Sequence, residues 1–384
     1  MAVPSIYIPG YQRARAANPA MADLYLKHVL IGDPMADAVA ASLSDLDPVQ
    51  SRSFIEAGMD QQYHAMREAP QALRDFFQEI STPPDWYRSD RVLPGRKLFH
   101  RYSDLFMPAF FVVTLLNATT LISKGFYTTG RVLGGHAPQR IRENTRHFIE
   151  IMLPGSLDRQ GDGWKASVRI RLMHAHVRRL IRESGHWDES AYGTPLSSAH
   201  MGLASSNFSA TMLRHAELLG ARMPPEERAG FMQIWRYVSL LIGTPEELLF
   251  EGNEVDTREF NRTAMMCEPP PSEESVAVAG SLVHGLPDIA GATDPKAARR
   301  FSRNIYRVAR ALLGHETADR LQFPRMYTLG LLPAMRLHRM IFGPSGQLVP
   351  EKSYSRFGNN FAFLLEVSRS LDLNYSLPER LHAE

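Results

Sequence analysis

The sequence contains almost no cysteine and almost no net charge. Cys267 is the single cysteine in 384 residues, which excludes an intrachain disulfide and any metal site built from several thiolates. The 43 basic and 41 acidic residues leave a formal net charge of +2, so there is no electrostatic reason to expect a nucleic-acid partner. What remains is an ordinary globular composition, 44% hydrophobic and 22% charged, in a chain long enough to enclose a cofactor.

Strand signals are scarce as well. No stretch alternates cleanly between apolar and polar residues, and no Asn-Gly or Asp-Gly pair joins two β-branched runs. Helical spacing recurs instead, and Pro108 is expected to bend the third of the predicted helices. They cover 37–46, 70–80, 96–125, 138–153, 164–183, 197–219, 225–242, 295–313 and 324–342. Thr244-Pro245 predicts a further helix start, and the proline-rich stretch 268–272 predicts a break.

Long hydrophobic runs are nearly absent. The longest uncharged run, Leu105 to Ser123, is close to the minimum length for a membrane span but contains Pro108, Asn117 and three threonines. We interpret it as a buried core helix, and the alternative is a segment that dips into a membrane. Residues 1–10 lack the charged-then-apolar pattern of an export signal. We therefore expect a cytoplasmic protein, with peripheral membrane contact as the alternative.

Residues 168–181 place two neighbouring histidines on opposite sides of a helix. On a wheel of about 100° per residue, His174 falls within an apolar arc and His176 lies nearly opposite. The arc is formed by Ile170, Met173, Val177, Leu180 and Ile181. Arg171 and Arg178 sit together on one edge of this arc. The alternative is an ordinary core histidine beside solvated arginines, because R-x-x-H-x-x-x-R has no specificity of its own.

A haem requires this combination of groups. A neutral imidazole must reach the iron from an apolar wall, and the propionates need cations at the rim of that wall. Arginine suits carboxylates because its planar fork binds both oxygens. No His-x-x-x-His or Glu-x-x-His spacing supports zinc or a di-iron centre, since His136, His147, His200 and His215 lie on separate segments.

Five short segments, in one order along the chain, resemble motifs of the rubber oxygenase and mpaB-type oxygenase family. R-L-M-H-A-H-V-R at 171–178 resembles the family signature R-L-x-H-A-x-V-R. The others are G-D-P-M-A-D at 32–37, T-G-R at 129–131, R-E-N-T at 142–145, and W-R-Y at 235–237 followed by I-G-T-P-E-E-L at 242–248. The resemblance covers roughly residues 30–345, and five ordered motifs are far more specific than one.

The resemblance implies haem b in an all-α fold, with His174 as the axial ligand of the iron. Arg171 and Arg178 would pair with the propionates, joined by Arg336 as the late arginine of the family, whose alternative is a surface role. The implied architecture is a single large helical domain with a globin-like core and extra helices. It would span 31–345, between an N-terminal extension (1–30) and a C-terminal tail (346–384) packed on the domain.

The other side of the iron is less well matched. In the family, an arginine, a lysine and a threonine lie near the open iron position, together with a glutamate that has no counterpart assigned in this chain. Thr145 matches the threonine, Asn144 replaces the lysine, and Arg142 or Arg140 would supply the arginine. On the wheel, Asn144 and Thr145 fall within an apolar face, so they would hydrogen-bond to a ligand on iron or else within their own helix. The candidates for a second protein ligand would be His136, His147 and Lys124.

Three classes of function follow. The resemblance implies a haem-dependent oxygenase that uses O₂ to cleave or oxygenate a hydrophobic, alkene-containing molecule. We favour a terpenoid or unsaturated lipid over rubber, because that polymer is extracellular and no export signal is visible. The alternatives are a haem-binding sensor or carrier, whose iron is closed by a second side chain, and a helical lipid-binding module without haem.

Overall fold

Asparagine or aspartate followed by proline starts several helices. Asn18, Asp33, Asp47 and Asp294 each precede a proline, and each side chain accepts a hydrogen bond from a backbone N–H in the first turn. The cap satisfies a donor that has no partner inside the helix, and the fixed φ of proline suits the first helical position. These four helix starts are therefore encoded locally in the sequence.

The structure, a computed structural model, describes residues 3–128, 136–289, 292 and 294–342. Within these residues the chain forms nineteen α-helices and no strand, so the all-α prediction is confirmed. They are α1 Ile8–Ala17, α2 Pro19–Val29, α3 Pro34–Leu43, α4 Pro48–Met59, α5 Gln71–Glu79, α6 Ser89–Arg101, α7 Ser103–Asn117, α8 Ile122–Thr128, α9 Ala137–Ile151, α10 Asp162–Glu183, α11 Glu189–Tyr192, α12 Ser198–Ser206, α13 Met212–Leu219, α14 Pro225–Leu241, α15 Glu254–Cys267, α16 Glu273–Ile289, α17 Pro295–Leu313, α18 His315–Arg320 and α19 Leu331–Phe342.

The single long helix predicted over 96–125 is wrong, because this region contains parts of three helices. Pro108 lies inside α7, and the helix continues past it. α7 ends instead at Asn117, where the hydroxyls of Thr119 and Thr120 donate to the carbonyls of Leu116 and Asn117, both at 2.7 Å. Threonine side chains that bond to nearby carbonyls compete with the helical hydrogen bonds, which explains the break.

Other helix boundaries also differ from the sequence prediction. The helix predicted over 197–219 is interrupted by a π-helical turn at Asn207–Thr211, between α12 and α13. The start at Thr244-Pro245 leads only to a short 3₁₀ turn, Glu246–Leu248. The helix predicted from residue 324 begins at Leu331. The proline-rich break falls as predicted, in the gap between α15 and α16.

α10 runs through the middle of the fold and carries the segment singled out by its two histidines. α3, α9 and α14 pack against it, and α14 in turn packs closely on α6. Gly95 and Gly230 face each other where α6 crosses α14, and a Cβ on either would collide with the backbone of the other helix. Glycine at this crossing lets the two helices approach, which fixes where α14 meets the core.

The first two helices belong to the packed structure, although the sequence assigns residues 1–30 to an extension. Tyr7 and Tyr25 are fully buried. Tyr7 Oη lies 3.0 Å from His200 Nε2, and Tyr25 Oη donates to Glu268 Oε1 at 2.6 Å. The division into extension, domain and tail stays a prediction, and the tail at 346–384 and the T-G-R motif at 129–131 lie outside the described residues.

Among the described helices, none alone has the length and hydropathy of a membrane span. α7 and α8 meet that test only when they are taken together, and they are bent by 86° at the break between them.

His215, on α13, makes folding dependent on pH. It is 4% exposed, and burial followed by the charge of Arg214 lowers its pKa to about 4. In the unfolded chain the histidine pKa is about 6.5, so between pH 6.5 and pH 4 the unfolded state binds a proton at His215 and the folded state does not. The stability that His215 contributes at higher pH is therefore lost as pH falls from 6.5 towards 4.

We expect His215→Leu to remove this part of the pH dependence. Between pH 7.5 and pH 5, the free energy of unfolding of the wild type should fall by about 2 kcal/mol more than that of the variant. Urea unfolding at both pH values measures the difference. Equal pH dependence in the two proteins would contradict the assignment of a lowered pKa to His215.

Candidate functional site

An apolar cavity lies where seven helices meet, namely α7, α8, α9, α10, α12, α14 and α16. With its mouth it encloses about 1070 Å³ of empty space. One wall is aromatic: the rings of Phe110 and Phe148 are stacked with centroids 4.5 Å apart, and Phe208 stacks on Trp235 at 5.4 Å. Phe110, Phe208 and Trp235 face the cavity directly. A cavity with this lining suits a hydrophobic ligand or a planar cofactor.

His174 lines this cavity from α10, and His176 is not among the lining residues. The Nδ1 atom of His174 is buried and has no hydrogen-bond partner among the residues that the structure describes. Burial, followed by the positive charge of Arg140, lowers the pKa of His174 to about 3, so the ring is neutral at physiological pH. His174 differs from a buried core histidine in that it faces the cavity, where a neutral imidazole is free to bind a metal.

The two arginines that flank His174 are paired with carboxylates of α3. Arg171 binds Asp33 through two hydrogen bonds, Nε to Oδ2 at 2.6 Å and Nη2 to Oδ1 at 2.9 Å. Arg178, 2% exposed, donates from Nη1 to Asp37 Oδ1 at 2.7 Å. We refer to these two pairs as the α3–α10 clamp. Their place at the propionates, expected from the sequence, is corrected here, because both guanidinium groups already have carboxylate partners within the protein.

Small residues make room for the clamp. Gly243 has φ +96°, and a Cβ there would collide with Asp33 Oδ2 and crowd Arg171. Gly32 stands in the same relation to Asp37 and Arg178. The motifs at 32–37, 171–178 and 242–248 therefore meet in space around the two ion pairs, and a glycine is required at 243 both for its φ and for the close approach.

The clamp also shapes the cavity wall. Arg178 donates from Nη2 to the carbonyl of Leu196 at 3.0 Å and from Nε to that of Pro195 at 3.2 Å. Leu196 has φ +46°, a left-handed conformation that is rare for leucine, and its side chain lines the cavity. The arginine therefore holds a strained loop in place, with the leucine side chain directed inward.

α9 presents three polar side chains to the cavity, Arg140, Asn144 and His147. Arg142 and Thr145, which the sequence placed beside the iron, are not among the described residues that line it. The spacing of Arg140, Asn144 and His147 is that of one helix face. The sequence analysis named Asn144 and Arg140 beside the iron and His147 as a candidate second ligand, but it did not use this spacing to place the three on one face.

Arg140 has an unused hydrogen-bond donor on this face. It is 7% exposed, its Nη1 donates no hydrogen bond to any described residue, and that atom lies 3.5 Å from Glu143 Oε2. A buried guanidinium with an unused donor is costly unless a ligand completes it. Arg140 is therefore the cation within the cavity lining that is best placed to meet a carboxylate of a bound group.

The tautomer of His147 follows from its neighbours. Ser167 Oγ donates to the carbonyl of Gly163 at 2.7 Å, so its one hydrogen is used. His147 Nε2 lies 2.9 Å from the same Oγ and must be the donor. The lone pair of Nδ1 is then left unused by this bond, and burial with nearby Arg140 lowers the pKa of His147 to about 3. His147 thus adds a neutral hydrogen-bond acceptor to the cavity lining.

Arg336, the fourth predicted haem contact, lies elsewhere. It is on α19, its Nε donates to the carbonyl of Leu218 at 2.8 Å, and it lines a separate surface hollow with Arg214 and Arg222. The assignment to a propionate is corrected to a contact between α19 and the end of α13.

The donor set fits a haem better than a bare metal ion. The described residues contain no group of three or more His, Cys, Asp or Glu side chains placed to hold a metal ion. A metal bound by His174 alone must bring its other ligands with it, as a porphyrin does. The apolar walls, the neutral imidazole and the unused donor of Arg140 suit the ring, the iron and a propionate in turn.

Comparison with known proteins agrees with the motifs. Residues 96–341 match the family model described as the catalytic domain of ER-bound oxygenase mpaB/B' and rubber oxygenase. The rubber oxygenase of Streptomyces sp. strain K30 is 21% identical over 229 residues, which are 57% of this chain and 54% of that protein. The chain thus spans about half the length of this curated relative. The structure of latex clearing protein in the closed state superposes with a TM-score of 0.67 over 93% of both chains, at 17% identity, and shares the fold.

We expect Arg171→Met to lower the free energy of unfolding by about 3–5 kcal/mol, because it leaves Asp33 buried and unpaired. Adding Asp33→Asn should restore part of the loss, since the uncompensated charge disappears while a capping oxygen for α3 remains. Arg179→Met is the matched control on the same helix, because Arg179 pairs with a half-exposed Glu183 and should matter by less than about 1 kcal/mol. Urea unfolding measures all four proteins, and equal losses in Arg171→Met and Arg179→Met would contradict the clamp.

Proposed function

Because the chain belongs to the mpaB/B' and rubber oxygenase catalytic-domain family, we propose that it is a haem-dependent oxygenase. Its substrates would be O₂ and a hydrophobic, alkene-containing small molecule, such as a terpenoid or an unsaturated lipid. The observation that carries the proposal is His174, a neutral imidazole in an apolar cavity whose Nδ1 has no partner among the described residues.

Haem b would be held by His174 at the iron and by Arg140 at a propionate. When bound, haem supplies a redox-active iron that activates O₂, chemistry that no amino-acid side chain provides. Cleavage of a carbon–carbon double bond by O₂ gives two carbonyl groups, and both oxygen atoms enter the products. That reaction needs no external reductant.

The chain's own residues would bind, orient and exclude water. Phe110, Phe208 and Trp235 offer an apolar wall to the alkene and keep water from the reacting bond. Asn144 is a poor iron ligand but a good donor, so it would hydrogen-bond to oxygen or water near the iron. The α3–α10 clamp would hold α10, and His174 with it, at a fixed position relative to α3.

The second candidate is a haem-binding sensor or carrier, and one observation favours it. His147 lines the same cavity as His174, and its Nδ1 lone pair is not used by the bond to Ser167. This nitrogen would be the second ligand of the iron. If His147 closed the open site of the iron, turnover would be blocked. The cytoplasmic location expected from the sequence, with its membrane-associated alternative, stays a prediction under both functions.

Haem binding should depend on His174. His174→Ala should lose most of the Soret absorbance per mole of purified protein, because the imidazole that would hold the iron is gone. His176→Ala, two residues away and outside the cavity lining, is the matched control and should keep it. Far-ultraviolet circular dichroism checks that both variants fold. Equal Soret absorbance in His174→Ala and wild type would refute the proposal.

Carbon monoxide binding separates the oxygenase from the sensor. With an open site, the ferrous protein should be five-coordinate and bind carbon monoxide rapidly. Asn144→Ala should change the ligand dissociation rate, while Thr145→Ala should not, because Asn144 lines the cavity and Thr145 does not. Slow binding that becomes fast in His147→Leu would instead support the sensor or carrier.

A further inference from the structure

A chain of buried amides ends at Asn117 on the cavity wall. Asn117 is the last residue of α7, is 5% exposed and lines the cavity. Its Oδ1 accepts a hydrogen bond from Asn207 Nδ2 at 2.6 Å. Asn207 is fully buried and opens the π-helical turn between α12 and α13, a local distortion that often marks functional sites.

The direction of this chain is set at its far end. Ser206 Oγ donates to the carbonyl of Leu203 at 2.7 Å, and a carbonyl only accepts. The single hydroxyl hydrogen is thereby used, so Ser206 Oγ must accept from Asn261 Nδ2, which lies 2.8 Å away. The same Nδ2 donates to Asn207 Oδ1, also at 2.8 Å.

The remaining orientations follow without choice. Since Asn207 accepts from Asn261 through its oxygen, its own Nδ2 faces Asn117 and donates to it. Asn117 therefore turns its oxygen towards Asn207 and keeps its Nδ2 for the cavity. No described residue accepts a hydrogen bond from that nitrogen, so it is available to a ligand in the cavity.

We propose that Asn117 Nδ2 binds an acceptor oxygen of the substrate, a carbonyl or an ether. The substrate is then an oxygenated hydrophobic molecule and not a pure hydrocarbon, an inference that rests on the proposed function and narrows its substrate class. Asn117 is the residue that determines this preference, and Asn207 and Asn261 position its amide.

The neighbouring polar groups do not satisfy this donor. The hydroxyl of Thr114, one turn earlier on α7, donates to the carbonyl of Phe110 at 2.9 Å within its own helix. Ser205 and Ser239 share one hydrogen bond at 2.6 Å between their hydroxyls, which leaves one of their two hydrogens unused by that bond. The serine pair therefore leaves one hydroxyl hydrogen as a further donor in the lining, whereas Thr114 offers only an acceptor.

Isothermal titration calorimetry of the protein as purified tests the preference with a matched pair of probes. One is geranylacetone, an isoprenoid ketone, and the other is the hydrocarbon in which a methylene replaces its carbonyl. The wild type should bind the ketone more tightly. Asn117→Leu, similar in size, should weaken the ketone about ten-fold and leave the hydrocarbon unchanged or tighter, as expected for one lost hydrogen bond.

Thr114→Val is the matched control, because it removes a hydroxyl from the same cavity wall whose hydrogen is already used. It should leave the ratio of the two affinities unchanged. Equal affinity of the wild type for both probes, or an unchanged ratio in Asn117→Leu, would overturn the proposal. So would a loss of haem in Asn117→Leu with no change in the ratio, since the amide would then serve a carboxylate of the cofactor.

Asn207→Asp tests the relay itself and remains informative if Asn117→Leu does not fold. At an alkaline pH at which the infrared band of its carboxylate shows that the aspartate is ionised, this side chain only accepts, so Asn117 should turn its nitrogen towards it and its oxygen to the cavity. Affinity for the ketone should fall, while affinity for geraniol, which has a hydroxyl donor, should not. An unchanged ketone preference would overturn the relay. The calorimetric ratio tests the role of Asn117, and the Soret absorbance of His174→Ala tests the proposed function. A failure of one is therefore distinguishable from a failure of the other.

Discussion

Two carboxylates one turn apart on α3 hold two arginines two turns apart on α10, and His174 lies between those arginines. Each pair excludes most solvent, so each would be expensive to break from one side only. The N-terminus of α3 is at the same time capped by Asp33, which also binds Arg171. One residue thus starts a helix and anchors its neighbour, which fixes both the rotation and the position of α10 along its axis.

This arrangement explains why the motifs lie far apart in the sequence. Asp33 and Arg171 are separated by 138 residues, and Gly243 comes later still, yet the three meet around a single ion pair. The sequence analysis recognised these segments by resemblance and assigned the arginines to a cofactor. Wheel geometry places Arg171 beside His174 correctly but carries no information about a carboxylate on a different helix.

The sequence predicts those features that depend on interactions within a single helix. The helix α10 and the inward side of His174 follow from periodicity, and α17 begins and ends where its proline and apolar spacing indicate. The break after Asn117 was missed because threonine is compatible with both helix and turn, and only its bonds to the carbonyls of Leu116 and Asn117 settle the outcome. His147 was named only as a candidate second ligand and Asn117 was missed, because the role of each depends on hydrogen bonds to other helices, namely Ser167 on α10 and Asn207 at the π turn.

The π turn at Asn207–Thr211 has a consequence for how such a cavity changes during evolution. A π turn accommodates one residue more than an α-helical turn, so losing a single residue there would restore a continuous helix. Because the π turn absorbs the extra residue, α12 and α13 would keep their positions, and the change would fall on the residues of the turn itself, moving Phe208 off the wall or Asn207 out of reach of Asn117. A one-codon insertion or deletion at this point would re-line the cavity in a single step, while the clamp on α3 and α10 stays as it is.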